Sequence, residues 1–170
     1  SGDTYALIST QNDTTDAFTV VVDSNVVNLS GITGEVADIA TTIDANAFTA
    51  VASTTVTGTN DVDTITIDGG VGSEANGGDG ADDITGGAAA DTIRGDGGDD
   101  TNLDGAGGDD TIVGGEGADT IIGGAGSDTI DLTETVAAID TVEMTGATST
   151  DTIIAFTTGT GGDVVEISVA

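Results

Sequence analysis

The sequence predicts an all-β protein, folded as a flattened, right-handed solenoid of short parallel strands. Three observations predict this fold: a nine-residue repeat, a constant separation between every second unit of it, and the lack of aromatic residues in the middle of the chain. No aromatic residue lies between positions 49 and 155. The middle therefore packs with Ile, Val, Leu and Ala, which suits a thin, repetitive architecture better than a large globular core.

The repeat consists of six consecutive nine-residue units with one extra residue, Asp104. The first five positions of each unit are Gly, Ala, Asp, Glu or Ser, the sixth is Asp, and the eighth is Ile in all but one unit. Glycine permits the positive φ of tight turns, and a strand with one inward residue must stack on neighbours about 4.8 Å away. The units begin at Gly77, Gly86, Gly95, Gly105, Gly114 and Gly123.

Acidic residues extend the same register towards the N-terminus, at Asp63 and Glu74. Steps between successive sixth-position acids vary from 8 to 11 residues, whereas separations over two units stay between 17 and 19. This compensation predicts that two units form one coil, so that carboxylates two units apart face each other on neighbouring coils. Such carboxylates repel each other unless a cation lies between them.

Charge and composition limit the ligands further. The chain has 31 acidic residues and one basic residue, Arg94, which gives a net charge of −30. This balance repels nucleic acid and anionic lipid, so we predict neither as a partner. No apolar stretch is long enough to span a membrane, so we also predict no membrane insertion. Without Cys or His, zinc, copper and iron–sulfur sites are excluded, and calcium and magnesium remain.

The same composition predicts that the chain is not an enzyme. A catalytic triad, a thiol nucleophile and a Schiff base need His, Cys and Lys respectively, and the chain has none of these residues. A mechanism that uses carboxylates alone stays open, although a sugar-cleaving site would also need aromatic platforms.

The units resemble the glycine-rich nonapeptide G-G-x-G-x-D-x-U-x of the RTX (repeats-in-toxin) family of calcium-binding proteins. The units that begin at Gly77, Gly114 and Gly123 match at every defined position. The resemblance implies a parallel β-roll that binds roughly four to six calcium ions between successive turns. The implied ligands are backbone carbonyls of the glycine-rich loops and paired sixth-position carboxylates: Asp63/Asp82, Glu74/Asp91, Asp82/Asp100, Asp91/Asp110, Asp100/Asp119 and Asp110/Asp128.

Two acids outside the sixth position, Asp79 and Glu116, are included as candidate ligands, with solvated turn residues as the alternative for them. The complete set of candidate calcium-binding residues is Asp63, Glu74, Gly77, Asp79, Gly80, Asp82, Gly86, Ala88, Asp91, Gly95, Gly97, Asp100, Gly105, Gly107, Asp110, Gly114, Glu116, Gly117, Asp119, Gly123, Ala125, Gly126 and Asp128.

Two residues depart from the repeat pattern. Ala89 replaces the fourth-position glycine, and its Cβ is expected to strain the turn. Asn102 occupies the inward eighth position, and burying an unpaired amide costs about 1–3 kcal/mol. We therefore predict that the strand slips by one residue, so that Leu103 points inward and Asn102 points outward.

The repeats divide the chain into three predicted regions. Residues 58–131 form the calcium-binding β-roll. Residues 132–170 keep the Asp-x-apolar rhythm at Asp140, Asp151 and Asp163, which predicts strands that continue or cap the solenoid through ion-free turns, with Phe156 over its open end. Residues 1–57 are predicted to be β-rich, with strands at 5–9, 18–23 and 26–29. The apolar spacing favours a short helix over 34–48, with a strand as the alternative for which the Thr-rich composition argues.

We expect a secreted structural module, at the cell surface or outside the cell, that folds on binding calcium. It would assemble with copies of itself or with a cell-surface component into a surface layer, a filament or an adhesin-like polymer. The alternative is a non-catalytic carrier or secretion domain of a larger enzyme or toxin, since the RTX family is usually exported by type I secretion. A flexible linker is a third interpretation, which the regular inward residue argues against.

Overall fold

The structure is a computed structural model that describes residues 18–21, 26–28, 41–44, 55–67, 71–145, 150–158 and 162–168. Every regular element in this part of the chain is a β-strand. The strands are β1 (Phe18–Val21), β2 (Val26–Asn28), β3 (Thr41–Asp44), β4 (Thr55–Thr57), β5 (Asp63–Thr66), β6 (Glu74–Asp79), β7 (Asp83–Thr85), β8 (Thr92–Gly97), β9 (Asn102–Asp104), β10 (Thr111–Glu116), β11 (Thr120–Ile122), β12 (Thr129–Asp131), β13 (Thr141–Thr145), β14 (Thr152–Ile154) and β15 (Val164–Ser168).

Consecutive strands alternate between two parallel sheets. One sheet has the order β1-β3-β5-β7-β9-β11-β13-β15, and the other has the order β14-β12-β10-β8-β6-β4-β2. Each strand thus pairs with the strand two places away along the chain, and two strands with their turns make one coil. The prediction of an all-β parallel solenoid with two units per coil is confirmed.

The core is a double file of aliphatic side chains, one from each short strand. A three-residue strand has its middle side chain buried and its outer two partly exposed, because side chains alternate between the two faces of a sheet. One file is Ile65, Ile84, Leu103, Ile121 and Val142, and the other is Val56, Ala75, Ile93, Ile112 and Ile130. All ten are fully buried, and burial of each larger aliphatic side chain contributes about 1.5–3 kcal/mol.

The predicted slip at Asn102 is confirmed. Leu103 is fully buried and aligns with Ile84 and Ile121 on the neighbouring coils. Asn102 lies on the outer face, where its side-chain amide donates a hydrogen bond of 2.9 Å to Asp83 Oδ1. The unit therefore accommodates its additional residue before the buried position, and Asp104 takes the ordinary last strand position opposite Thr85.

The flanking segments also contribute strands to the two sheets. β13 and β15 pair beyond β11, and β14 pairs with β12. Phe156 is among the exposed large hydrophobic residues. Its predicted place over the open end of the solenoid stays a prediction. In the part of the chain described here, no helix is long and apolar enough to cross a membrane.

The N-terminal predictions are met in part. β1 and β2 lie within the strands predicted at 18–23 and 26–29. The helix predicted over 34–48 is wrong at Thr41–Asp44, where β3 pairs with β1 and β5. Parallel pairing with neighbouring coils outweighs the helical spacing of the apolar residues there. The strand predicted at 5–9 and the rest of the predicted helix lie outside the described residues.

Candidate metal centre

Sixth-position aspartates form two files, one along each side of the solenoid. Each aspartate lies where a turn enters a strand, so alternate aspartates enter alternate sheets. The first file is Asp63, Asp82, Asp100, Asp119, Asp140 and Asp163, and the second is Asp91, Asp110, Asp128 and Asp151. From Asp63 to Asp140 each of these residues is at most 3% exposed, which is unusual for a carboxylate.

From Asp82 onward, one carboxylate oxygen of each aspartate accepts a backbone N–H from the preceding coil. Oδ1 of Asp100 accepts the backbone N–H of Asp82 at 2.9 Å, and Oδ1 of Asp110 accepts that of Asp91 at 2.7 Å. The same bond recurs along both files and continues through Asp140, Asp151 and Asp163. The Oδ1 atoms therefore join neighbouring coils along both files. Five of the six predicted carboxylate pairs lie on neighbouring coils that are joined by this N–H to Oδ1 hydrogen bond.

The sixth predicted pair, Glu74 with Asp91, is wrong. Ser73 takes the place of Glu74 and donates its backbone N–H to Asp91 Oδ1 at 2.7 Å. The reason is the register of β6: Ala75 is the buried residue, so the turn position two residues before it is Ser73. Glu74 instead lies on the outer face of β6 and forms an ion pair of 2.7 Å with Arg94. Counting back two residues from Ala75 would have found Ser73 in the sequence.

The second carboxylate oxygen divides the turns into two classes. In the turns 77–82, 95–100, 105–110, 114–119 and 123–128, here called the open turns, Oδ2 is buried and accepts no hydrogen bond. In the turns 58–63 and 86–91, here called the closed turns, the second residue of the turn donates its backbone N–H to Oδ2. Gly87 donates to Asp91 at 2.8 Å, and Thr59 donates to Asp63 at 2.6 Å.

Backbone conformation follows the same division. Every open turn has positive φ at its second and fourth positions, including Asp96 (73°) and Ala106 (63°), which are not glycine. No residue of the closed turns has positive φ. The strain predicted at Ala89 therefore does not arise, because the whole turn 86–91 adopts the closed form.

Several open turns place a backbone carbonyl beside the orphaned carboxylate oxygen. A side chain at Gly77 would collide with both Asp82 Oδ2 and the carbonyl oxygen of Gly95 on the next coil. The same pair of oxygens borders Gly95 and Gly105, with Gly114 and Gly123 supplying the carbonyls. Two electron-rich oxygens thus border one small space, which is an arrangement that a hard cation stabilises.

Burial governs the charge state of these carboxylates. It raises the pKa of Asp82, Asp100, Asp110 and Asp119 to about 7, with a smaller increase from neighbouring acidic charges, and the bond to Oδ1 opposes both. The pKa values of Asp128 and Asp140 are also raised, first by burial. A buried carboxylate with a raised pKa favours either a proton or a cation at the oxygen that lacks a donor.

Other predicted ligands have protein partners. Asp79 accepts a hydrogen bond from the Asn60 amide. Glu116 accepts three hydrogen bonds from Thr135 and Val136, and those from Thr135 are the main reason that its pKa is lowered.

The predicted backbone ligands are placed at several positions of the turns. Gly80, Gly117 and Gly126 occupy the positive-φ fourth position of open turns. The carbonyls of Gly97 and Ala125 each accept the N–H of a fourth-position glycine on the preceding coil. Gly86 and Ala88 belong to the closed turn 86–91, and Gly107 donates its N–H to the carbonyls of Gly87 and Gly105.

Within the described residues, no three or more acidic side chains converge as a group that could hold a metal ion. A cation at an open turn would therefore take most of its ligands from the backbone. Calcium accepts six to eight oxygen ligands, including carbonyls, in flexible geometry, so the residues present fit it better than the octahedral, water-retaining Mg²⁺.

Comparison with protein families finds a match for the repeat segment. The RTX calcium-binding nonapeptide repeat, in four copies, matches residues 76–101 and 103–133. The match skips residue 102, where the structure accommodates the additional residue of β9. Comparisons with curated proteins and with solved structures gave no match. The prediction of RTX repeats is confirmed for this segment.

Proposed function

We propose that these RTX calcium-binding nonapeptide repeats act as a structural module that folds when calcium binds to the open turns. The observation that carries the proposal is the buried, orphaned Oδ2 atom in each open turn. A buried acceptor without a partner costs about 1–3 kcal/mol, and more when it is charged, so five of them need a compensating ligand. The aspartates concerned are Asp82, Asp100, Asp110, Asp119 and Asp128.

Each part of an open turn has a separate task in this mechanism. The aspartate Oδ1 keeps the coils in register through its bond to the preceding coil. Positive φ at the second and fourth positions accompanies the loss of the N–H bond to Oδ2, which leaves that oxygen for the ion. Calcium would supply the positive charge that the chain lacks, and the free energy of binding would become free energy of folding.

The net charge of −30 makes this coupling strong. Without cations, repulsion among the carboxylates expands the chain, and the buried Oδ2 atoms oppose its collapse. Modules outside the cell bind calcium in the range of about 10⁻⁴–10⁻³ M, which suits sites built largely from carbonyls. We therefore place the chain outside the cell or at its surface, as a non-enzymatic protein.

The folded module would then assemble into a surface layer, a filament or an adhesin-like polymer. This proposal is supported by the ends of the two sheets, since β14 and β15 each have a strand partner on one side within the described residues. Strand edges of this kind pair readily with another chain. The second candidate function is a carrier or secretion domain of a larger enzyme or toxin, which would use the same calcium-coupled folding without assembly.

A calcium titration distinguishes these possibilities. The chain is freed of metal, and far-UV circular dichroism and light scattering are followed as calcium is added, with magnesium as the control. We expect a cooperative gain of β-signal with calcium and little with magnesium. Growth in particle size along with the β-signal supports assembly, whereas a folded monomer supports the carrier role. No change in either signal would overturn calcium-coupled folding.

A further inference from the structure

Glu134 has an orphaned carboxylate oxygen outside the nonapeptide turns. It lies between β12 and β13, in a segment without glycine (residues 132–140). Its Oε1 accepts the N–H of Ala138 at 2.6 Å, which fixes the carboxylate. Its Oε2 is buried and accepts no hydrogen bond, like the Oδ2 atoms of the open turns.

The segment that carries Glu134 is attached to the open turn 114–119. Glu116 accepts the N–H and the hydroxyl of Thr135 and the N–H of Val136. Asp119 donates its N–H to Asp140 Oδ1 at 3.0 Å, at the other end of the segment. Thr135 and Val136, which follow Glu134, are thus bonded to the turn that carries Asp119. The pKa of the buried Asp119 carboxyl is raised first by burial and then by the charges of Asp140 and Glu134.

The turn 114–119 also differs from the open turns that precede it. At Gly77, Gly95 and Gly105, a carbonyl oxygen of the next coil lies among the three atoms nearest to an added Cβ. At Gly114 these three atoms belong to the Asp119 carboxylate and the Ile121 side chain. The next coil on this side has no glycine-rich turn, and no carbonyl oxygen of it is among these three atoms.

We propose that Asp119 Oδ2 and Glu134 Oε2 together bind a calcium ion at the boundary between the last glycine-rich turn of this file and the C-terminal strands. Two orphaned carboxylate oxygens form a harder and more negative site than one carboxylate and a carbonyl, so this ion binds more tightly than those of the earlier turns. Glu134 thereby ties the C-terminal strands to calcium binding. The inference rests on the proposed function, because it assumes that the open turns bind calcium.

The test counts bound ions by equilibrium dialysis against radioactive calcium, for the whole chain and two variants. Glu134→Gln keeps an oxygen for the Ala138 N–H and removes the charge at Oε2. Glu143→Gln removes one charge from the neighbouring strand β13 and serves as the matched control. We expect Glu134→Gln to bind one ion fewer than the unaltered chain, with the loss among the tightest sites, and Glu143→Gln to bind the full number.

Equal ion counts and affinities in the two variants would overturn the inference while leaving calcium-coupled folding intact. Absence of calcium binding by the unaltered chain would instead overturn the proposed function and the inference with it. A second measurement does not depend on a variant that folds. Crystals of the unaltered chain with calcium should show an anomalous peak about 2.3–2.6 Å from both oxygens, and a Glu134 carboxylate remote from every peak would contradict the site.

Discussion

The sixth-position aspartate has two oxygens with different tasks. Oδ1 is a structural acceptor in both open and closed turns, as at Asp91 and Asp110. Oδ2 is orphaned in the open turns and satisfied by a backbone N–H in the closed ones. An aspartate in this motif is therefore not by itself evidence of an ion site, because the conformation of its own turn decides what Oδ2 contacts.

Replacing Asp110 and Asp91 by asparagine should have opposite consequences. In Asp110→Asn the new Nδ2–H faces an orphaned position bordered by the Gly123 carbonyl, so we expect one calcium ion fewer and a more stable calcium-free fold. In Asp91→Asn the new Nδ2–H faces the Gly87 N–H, so we expect an unchanged ion count and a loss of about 1–3 kcal/mol in the free energy of unfolding.

Equilibrium dialysis gives the ion count of each variant. Urea unfolding gives the stability, without calcium for Asp110→Asn and in excess calcium for Asp91→Asn. Loss of one ion from both variants would show that Asp91 binds calcium as Asp110 does, and the distinction between open and closed turns would then fail.

The strands are alike from coil to coil, whereas the turns differ in backbone conformation and in the residue at their fourth position. Both closed turns lack glycine at the fourth position, where they have Asp61 and Ala89. The open turns all have glycine there, whereas the second position tolerates Asp96 and Ala106 in positive φ. A non-glycine residue in this conformation costs about 1–2 kcal/mol. Glycine at the fourth position is therefore the feature that accompanies an orphaned Oδ2.

Ala89→Gly should convert the closed turn 86–91 into an open one. The substitution removes the Cβ that disfavours positive φ at the fourth position, so the Gly87 N–H can leave Asp91 Oδ2. We expect one additional calcium ion per chain, counted by native mass spectrometry at saturating calcium. The control is Ala90→Gly, because the fifth position has no positive φ in any described unit. Equal ion counts in both variants would contradict the role of the fourth position.

At the scale of the whole molecule, the two files of aspartates couple folding to protons as well as to calcium. The pKa of Asp82, Asp100, Asp110 and Asp119 is raised from 3.8 to about 7, chiefly by burial. A raised folded-state pKa means that these groups stabilise the calcium-free fold fully below about pH 3.8. That contribution is lost as the pH rises towards 7. Protons and calcium therefore compete for the same oxygens.

Calcium binding should release protons at pH 6.5 and almost none at pH 8.5. At the lower pH the buried carboxyls are largely protonated in any folded, calcium-free chain, and the ion displaces their protons. Isothermal titration calorimetry in buffers of different ionisation enthalpy measures the number released. The apparent calcium affinity should also fall as the pH decreases from 7 to 5. A heat of binding independent of the buffer at pH 6.5 would show that these carboxyls are already ionised before calcium binds, which would contradict binding to a folded, protonated chain.

Much of the fold follows from local pattern. The nine-residue period and its compensation over two units predict two strands per coil, because a solenoid conserves the length of its coils. The slip at Leu103 follows from the cost of burying an amide, and the structure confirms it. Acidity alone predicts Glu74 at this turn position, whereas the distance to the buried Ala75 selects Ser73.

By itself the sequence determined the solenoid, the inward file of aliphatic residues and the preference for a hard cation, since these depend on period, side-chain polarity and charge. Which carboxylate oxygens have a hydrogen-bond donor, and which have none, follows from the tertiary structure. That depends on the φ of residues such as Gly87 and on the contacts of Glu116 and Glu134 with residues of their own and neighbouring coils. Hydrogen bonds across coils join residues about 20 positions apart, and no local pattern encodes their geometry.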